Sequence, residues 1–137
     1  MPPSATQVRP TGHPGYSETL PREPHSAATA RRLTGAALSC WGLEELAEDA
    51  ALIVTELVAN AVRHARGKTI RVVVERTAVR RVRLAVADFS RVRPVVRDGG
   101  DDGGGRGLLL VAALVAGWGT VERRWGKVVW ADLEGCA

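Results

Sequence analysis

Residues 56–65 read ELVANAVRHA, and the way this stretch folds decides how the rest is read. It closes a longer periodic run, residues 43–65, that reads as an amphipathic helix stopped by Gly67. Within it Glu56, Asn60 and His64 stand four residues apart, a spacing that stacks them on one side of the helix. On a wheel of ~100° per residue, Leu46, Ala50, Ile53, Val54, Leu57 and Ala61 share one arc. Glu56 and Asn60 fall just off an edge of that arc, and His64 falls inside the edge. A carboxylate and an amide at such a border are costly to desolvate unless something polar meets both. A hydrated cation or a nucleotide phosphate has that chemistry. A solvated Glu56, a satisfied structural amide at Asn60 and a His64 that complements the helix dipole fit the same spacing. The ladder alone leaves both readings open.

Working outward from this helix, SAATARRLTGAAL precedes it. Ser26 stands at the N-cap position of a first helix over residues 27–39, which Gly42 ends. After it come TIRVVVER (69–76) and VRLAVAD (82–88), two strands by alternation. Their short link predicts an antiparallel hairpin. RVRPVVRDGGDDGGG (91–105) reads as a loop. GLLLVAALVAGW (107–118) reads as a third helix, apolar on nearly every side. TVERRW (120–125) and KVVWADL (127–133) flank Gly126 as a closing hairpin. The order predicts an α+β two-layer sandwich: three helices on one face of a mixed, mostly antiparallel sheet. There is no internal repeat.

Six of the seven prolines fall within the first 25 residues, so residues 1–25 read as a flexible tail and residues 26–137 as the domain. A short extended piece at residues 16–20 is placed to add an edge strand.

With 137 residues and an apolar fraction of 45%, the chain suffices for one compact domain. Four of its six aromatics are Trp, so the core must come mainly from Val, Leu and Ala. A net charge of +4 favours an anionic partner. The arginines are scattered, however, and no nucleic-acid-binding motif accompanies them, so no direct nucleic-acid partner is expected. Cys40 and Cys136 form neither a CxxC pair nor a zinc set. No secretory pattern and no apolar run of roughly 18–20 residues is present. A soluble cytoplasmic protein without a membrane partner is expected.

Two further elements carry chemistry. Asp88 shares the phase of Val82, Leu84 and Val86, so it points to the core side at the very end of its strand. Such a carboxylate lines a pocket, or it starts a turn at Asp88-Phe89-Ser90. GGGRGLLL (103–110) combines glycines that admit close approach with a helix start whose N–H groups face the loop. That is a phosphate cradle or a plain surface loop. It is neither a Walker loop nor a dinucleotide fingerprint.

The order of these elements resembles the GHKL (Bergerat-fold) ATPase/kinase superfamily, and within it the small stand-alone anti-sigma-factor serine kinases. The likeness spans residues 27–134. ELVANAVRHA resembles the N-box, VADFS stands at the first glycine box, GGRGLLLV resembles the second, and WGT…GKVVWADL the closing hairpin. The family's first glycine box usually reads D-x-G-x-G; here the residues are Asp88-Phe89-Ser90-Arg91-Val92. The resemblance implies that Glu56 is the general base or orients the attacking hydroxyl, and that Asn60 binds Mg²⁺ against ATP. It implies that Asp88, with the small Ser90 beside it, binds adenine. Gly105, Arg106, Gly107 and Leu108 would hold phosphates, residues 91–104 would form the ATP lid, and His64 would support the site. The implied partners are a STAS-type anti-sigma-antagonist protein, a sigma factor, or both, with a homodimer left open. The other reading is a non-catalytic, nucleotide-dependent protein-binding regulator.

Overall fold

The computed structural model describes residues 7–8, 12–89 and 115–135. Six strands form one sheet: β1 (Gln7–Val8), β2 (Pro14–Pro21), β3 (Thr69–Ala78), β4 (Arg81–Asp88), β5 (Gly117–Arg123) and β6 (Gly126–Glu134). Their spatial order is β1-β2-β3-β4-β6-β5. Every pairing among the described residues is antiparallel, where the sequence suggested a mixed sheet. Two helices, α1 (Ser26–Cys40) and α2 (Ala47–His64), form the second layer. α1 lies over β2 and β3, α2 lies over β4 and β6, and the two helices pack on each other.

The expected α+β two-layer arrangement is therefore present, with two α-helices among the described residues. Most of the expected third helix, residues 107–114, lies outside the described residues. Its last two positions are not helical: Gly117 and Trp118 open β5, opposite Asp132 and Ala131. A short apolar run fits helix and strand alike, and the ladder with β6 decides it.

The expected long helix over residues 43–65 starts late. Glu44–Leu46 is a 3₁₀ turn, and α2 begins at Ala47. The preceding helix end explains the delay. Gly42 takes φ +68°, the left-handed conformation. Leu43 N–H then bonds Leu38 O at 2.8 Å, and Gly42 N–H bonds Ser39 O at 3.2 Å. This Schellman closure buries Leu43 beside Leu38 and spends the first residues of the run on the turn.

Ser26 does not cap α1. It is the first helical residue, and its hydroxyl donates to Pro21 O at 2.6 Å. The first N–H groups of α1 already have acceptors: Ser26 bonds Glu23 O, Ala27 bonds Pro24 O and Ala28 bonds His25 O. The hydroxyl is left to tie the helix start to the end of β2.

The extended piece at 16–20 proves larger and more central than expected. β2 runs for 8 residues, pairs with β3 along its length, and has β1 outside it. Tyr16 and Leu20 enter the core, and Tyr16 stacks on Trp41 with ring centroids 5.6 Å apart. Arg22 then reaches across the chain. Its Nε donates to Gly67 O at 2.5 Å and its Nη1 to Val62 O at 2.7 Å. Val62 O is one of the carbonyls that α2 leaves without a partner at its C-terminus. The folded unit thus includes residues that composition placed in the tail.

The core is built from α1, α2 and the helix-facing positions of the sheet. Ile53, Val54, Leu57 and Val58 of α2, Ile70, Val72 and Val74 of β3, and Val82, Leu84 and Val86 of β4 are all buried. Each such side chain contributes about 1.5–3 kcal/mol. This burial fixes α2 rotationally, and the rotation decides where its polar ladder points.

Candidate functional site

Glu56 and Asn60 are both half-buried on α2, beside the buried Leu57 and Ala61. The wheel put them just off the apolar arc, and there they sit. His64 departs from its expected place. It is exposed at the last helical position; the buried Ala65 follows in an extended conformation, its N–H still bonded to Ala61 O at 2.8 Å. The last turn of α2 carries Arg63 and His64, and the first carries Glu48 and Asp49, so both ends oppose the helix dipole favourably.

Asp88 is the last residue of β4 and is 2% exposed. Its side chain follows Val82, Leu84 and Val86 to the helix side, as its phase predicted. In the ladders it stands between Ile70 of β3 and Lys127 of β6. Ile70 is the second residue after the link from α2, so Asp88 lies at the end of the molecule where α2 terminates. Phe89 confirms the neighbourhood: its Cβ comes within 4.0 Å of where a Gly67 side chain would begin. Asn60 and Asp88 therefore belong to one end of the helix–sheet interface, and Glu56 lies one turn back along α2.

The same end is tightly fitted. Gly126 opens β6 at φ +155°, and a Cβ there would collide with the Asp88 carbonyl. Phe89 and Trp125 stack beside it with centroids 5.5 Å apart. Ser90, Gly105, Arg106, Gly107 and Leu108, with residues 91–104, lie outside the described residues.

Lys127 was missed as a site residue by the sequence reading. It shares the helix-facing phase of Val129, Ala131 and Leu133, is 8% exposed, and stands directly across from Asp88. A lysine at an apolar phase position was the signal available for it.

A second polar cluster occupies the opposite end and the opposite face of β4. Arg83 grips Asp132 through two bonds, Nε to Oδ1 at 2.7 Å and Nη2 to Oδ2 at 3.0 Å. Arg81 Nη2 adds a third at 3.1 Å. Burial works against the Asp132 charge, yet the hydrogen bonds and charges of Arg83 and then Arg81 outweigh it and hold the carboxyl below its ordinary range. The Asp132 hydrogen bond chiefly, with help from its charge and that of Glu75, raises Arg83 against the effect of burial. The Arg83 guanidinium also lies 4.1 Å from the ring centroid of Trp130. His13, Glu75 and Thr77 complete a shallow pocket around these groups. Each charged group of this cluster faces an opposite one, which suits a structural clasp on the sheet face opposite α1 and α2.

Residues 20–131 match the family model described as "Histidine kinase-like ATPase domain". Seven chains of solved structures match. One is the histidine kinase domain from the Erythrobacter litoralis EL346 blue-light activated histidine kinase, at 22% identity and a TM-score of 0.54. That match covers 84% of this chain and 61% of the other, so this chain spans about three-fifths of that domain. No curated protein matches. Among the described residues no helix is long and apolar enough to cross a membrane.

Proposed function

The chain belongs to the histidine kinase-like ATPase domain family, and from that premise we propose that it is an ATP-dependent regulatory protein of the anti-sigma-factor serine kinase type. It binds Mg·ATP in the cytoplasm and phosphorylates a serine of a small STAS-type antagonist protein, sequesters a sigma factor, or does both. The observation that carries this reading is the placement of three polar groups at one helix–sheet border: half-buried Glu56 and Asn60 one turn apart on α2, and buried Asp88 at the end of β4.

The donor set suits the ligand. A buried carboxylate accepts hydrogen bonds and is placed to take an amino N–H of adenine. An amide oxygen is a hard ligand of the kind Mg²⁺ uses, with phosphate and water completing the shell. Mg²⁺, when bound, neutralises charge on the transferring phosphoryl group. Asn60 would hold the cation, and Asp88 would hold the base. Glu56, one turn from Asn60, orients the substrate hydroxyl and accepts its proton. Leu57 and Ala61, buried beside Glu56 and Asn60 on α2, keep water from their inner side.

A second reading is a nucleotide-dependent protein-binding regulator without phosphotransfer. It is favoured by Asp88-Phe89-Ser90-Arg91-Val92, which holds neither glycine of the usual first box. Incubation with γ-labelled ATP and candidate partners separates the two. Phosphate transfer that falls at least a hundredfold in Glu56→Ala supports the kinase. ATP binding with no transfer supports the regulator. Absence of both ATP binding and thermal stabilisation by Mg·ATP overturns the two together.

A further inference from the structure

Lys127 is the second residue of β6 and the direct cross-strand partner of Asp88. Directly opposed residues of an antiparallel ladder hold their Cβ atoms about 5 Å apart. Both side chains leave the sheet on its helix side, in the phase of Val86 and Val129, and both are buried: Asp88 2% exposed, Lys127 8%. A lysine so enclosed pays a desolvation cost that a solvated position would avoid. Its stem does cover apolar surface, as lysine stems do. A Val or Ile would cover it without that cost, and those residues fill the helix-facing positions of β3.

The pair is also held in register. The Gly126 backbone presses on the Asp88 carbonyl where no side chain fits, and Phe89 stacks on Trp125. An obligate acceptor and an obligate donor are thereby fixed side by side at the end of one sheet face. The edge of adenine presents the complement: an amino donor on C6 beside an acceptor nitrogen, N1.

We propose that Lys127 is a second base-reading residue of the nucleotide site, donating to N1 of adenine while Asp88 accepts from the 6-amino group. The proposal rests on Asp88 being the base-binding carboxylate. It adds a specificity determinant: a ligand that carries both the amino group and N1. A 6-oxo purine would meet the pair with its groups in the opposite order.

Titration calorimetry of the full chain with ATP, 1-deaza-ATP (N1 replaced by C–H) and GTP tests this, alongside Lys127→Met and Lys127→Arg. Lys127→Met should weaken ATP binding roughly tenfold, the loss of one charge-assisted hydrogen bond. The unmodified chain should lose a similar factor with 1-deaza-ATP. Combining variant and analogue should cost little more than either alone, because both remove the same contact. Lys127→Arg, which keeps a donor, should lie between. Additive losses would overturn the proposal. So would full-strength binding of 1-deaza-ATP by the unmodified chain, a test that needs no variant to fold. Preference for GTP over ATP would overturn it as well. In these cases ATP binding itself would stand. If the unmodified chain binds no adenine nucleotide, the Asp88 reading falls first and this one with it.

Discussion

Asp88 and Asp132 lie on adjacent strands and are equally buried, 2% and 3% exposed. Their surroundings differ. Asp132 faces away from the helices and is gripped by two guanidinium groups at 2.7–3.1 Å. Asp88 faces the helix layer at a strand terminus, across from one lysine and near the end of α2. A buried carboxylate is no guide to function by itself. The face of the sheet on which it stands, and the groups placed opposite it, differ between the two.

The comparison breaks most clearly under exchange of the two losses. Asp88→Ala should lower ATP affinity at least a hundredfold, or about 2.7 kcal/mol. Asp132→Ala should leave affinity within about threefold while removing roughly 2 kcal/mol of stability, a fall of about 8 °C in Tm. Calorimetric titration and thermal melts of both variants decide it. Equal effects on affinity would erase the distinction.

Glycines sharpen the same contrast. Gly126→Ala puts a Cβ against the Asp88 carbonyl, which is backbone and cannot step aside. It should cost about 2 kcal/mol or more and weaken ATP binding as well. Gly119→Ala meets the Trp130 ring at 3.1 Å, a side chain that can tilt. It should cost about 1 kcal/mol or less, with ATP affinity unchanged.

The smallest effect is in pH. The folded Asp132 carboxyl is held below its ordinary value by its arginines, against the opposing effect of burial. Its stabilisation is therefore complete above the unfolded value of ~3.9 and is lost as pH falls through the lower folded value. The Tm difference between the unmodified chain and Asp132→Asn should be constant from pH 7 to about 5 and shrink below about pH 4. A difference that grows on acidification would reverse the assignment.

Local periodicity made the central elements legible. Alternation in residues 69–76 and 82–88 revealed the β3–β4 hairpin and placed Asp88 on the core side. The 3.6-residue pattern set Glu56 and Asn60 at the border of α2. Long-range interactions were not legible. β2 was legible only as a short edge piece at residues 16–20; it is rich in Gly, Pro, Ser and Thr, and its full length and inner position rest on pairing with β3, some 50 residues on. Arg22 finds its acceptors at Val62 and Gly67. His64 falls inside the edge of the apolar arc on the wheel, yet it is the last residue of α2 and is exposed. Lys127 was visible as a charge in an apolar phase, but its meaning needed the β4–β6 register.

That register has one further consequence. β4 pairs with β6, and β5 lies outside both. Asp88 therefore meets Lys127, 39 positions away in the chain, and on the proposed reading half of the base-reading pair arrives only when the C-terminal hairpin docks. A nucleotide that bridges the two strands acts as a staple on that docking. At a hundredfold excess over its dissociation constant, it would add about 2.7 kcal/mol to the folded state. Amide exchange in β6 should slow with ATP more than exchange in β2. On that reading, site occupancy and closure of the sheet would be a single equilibrium.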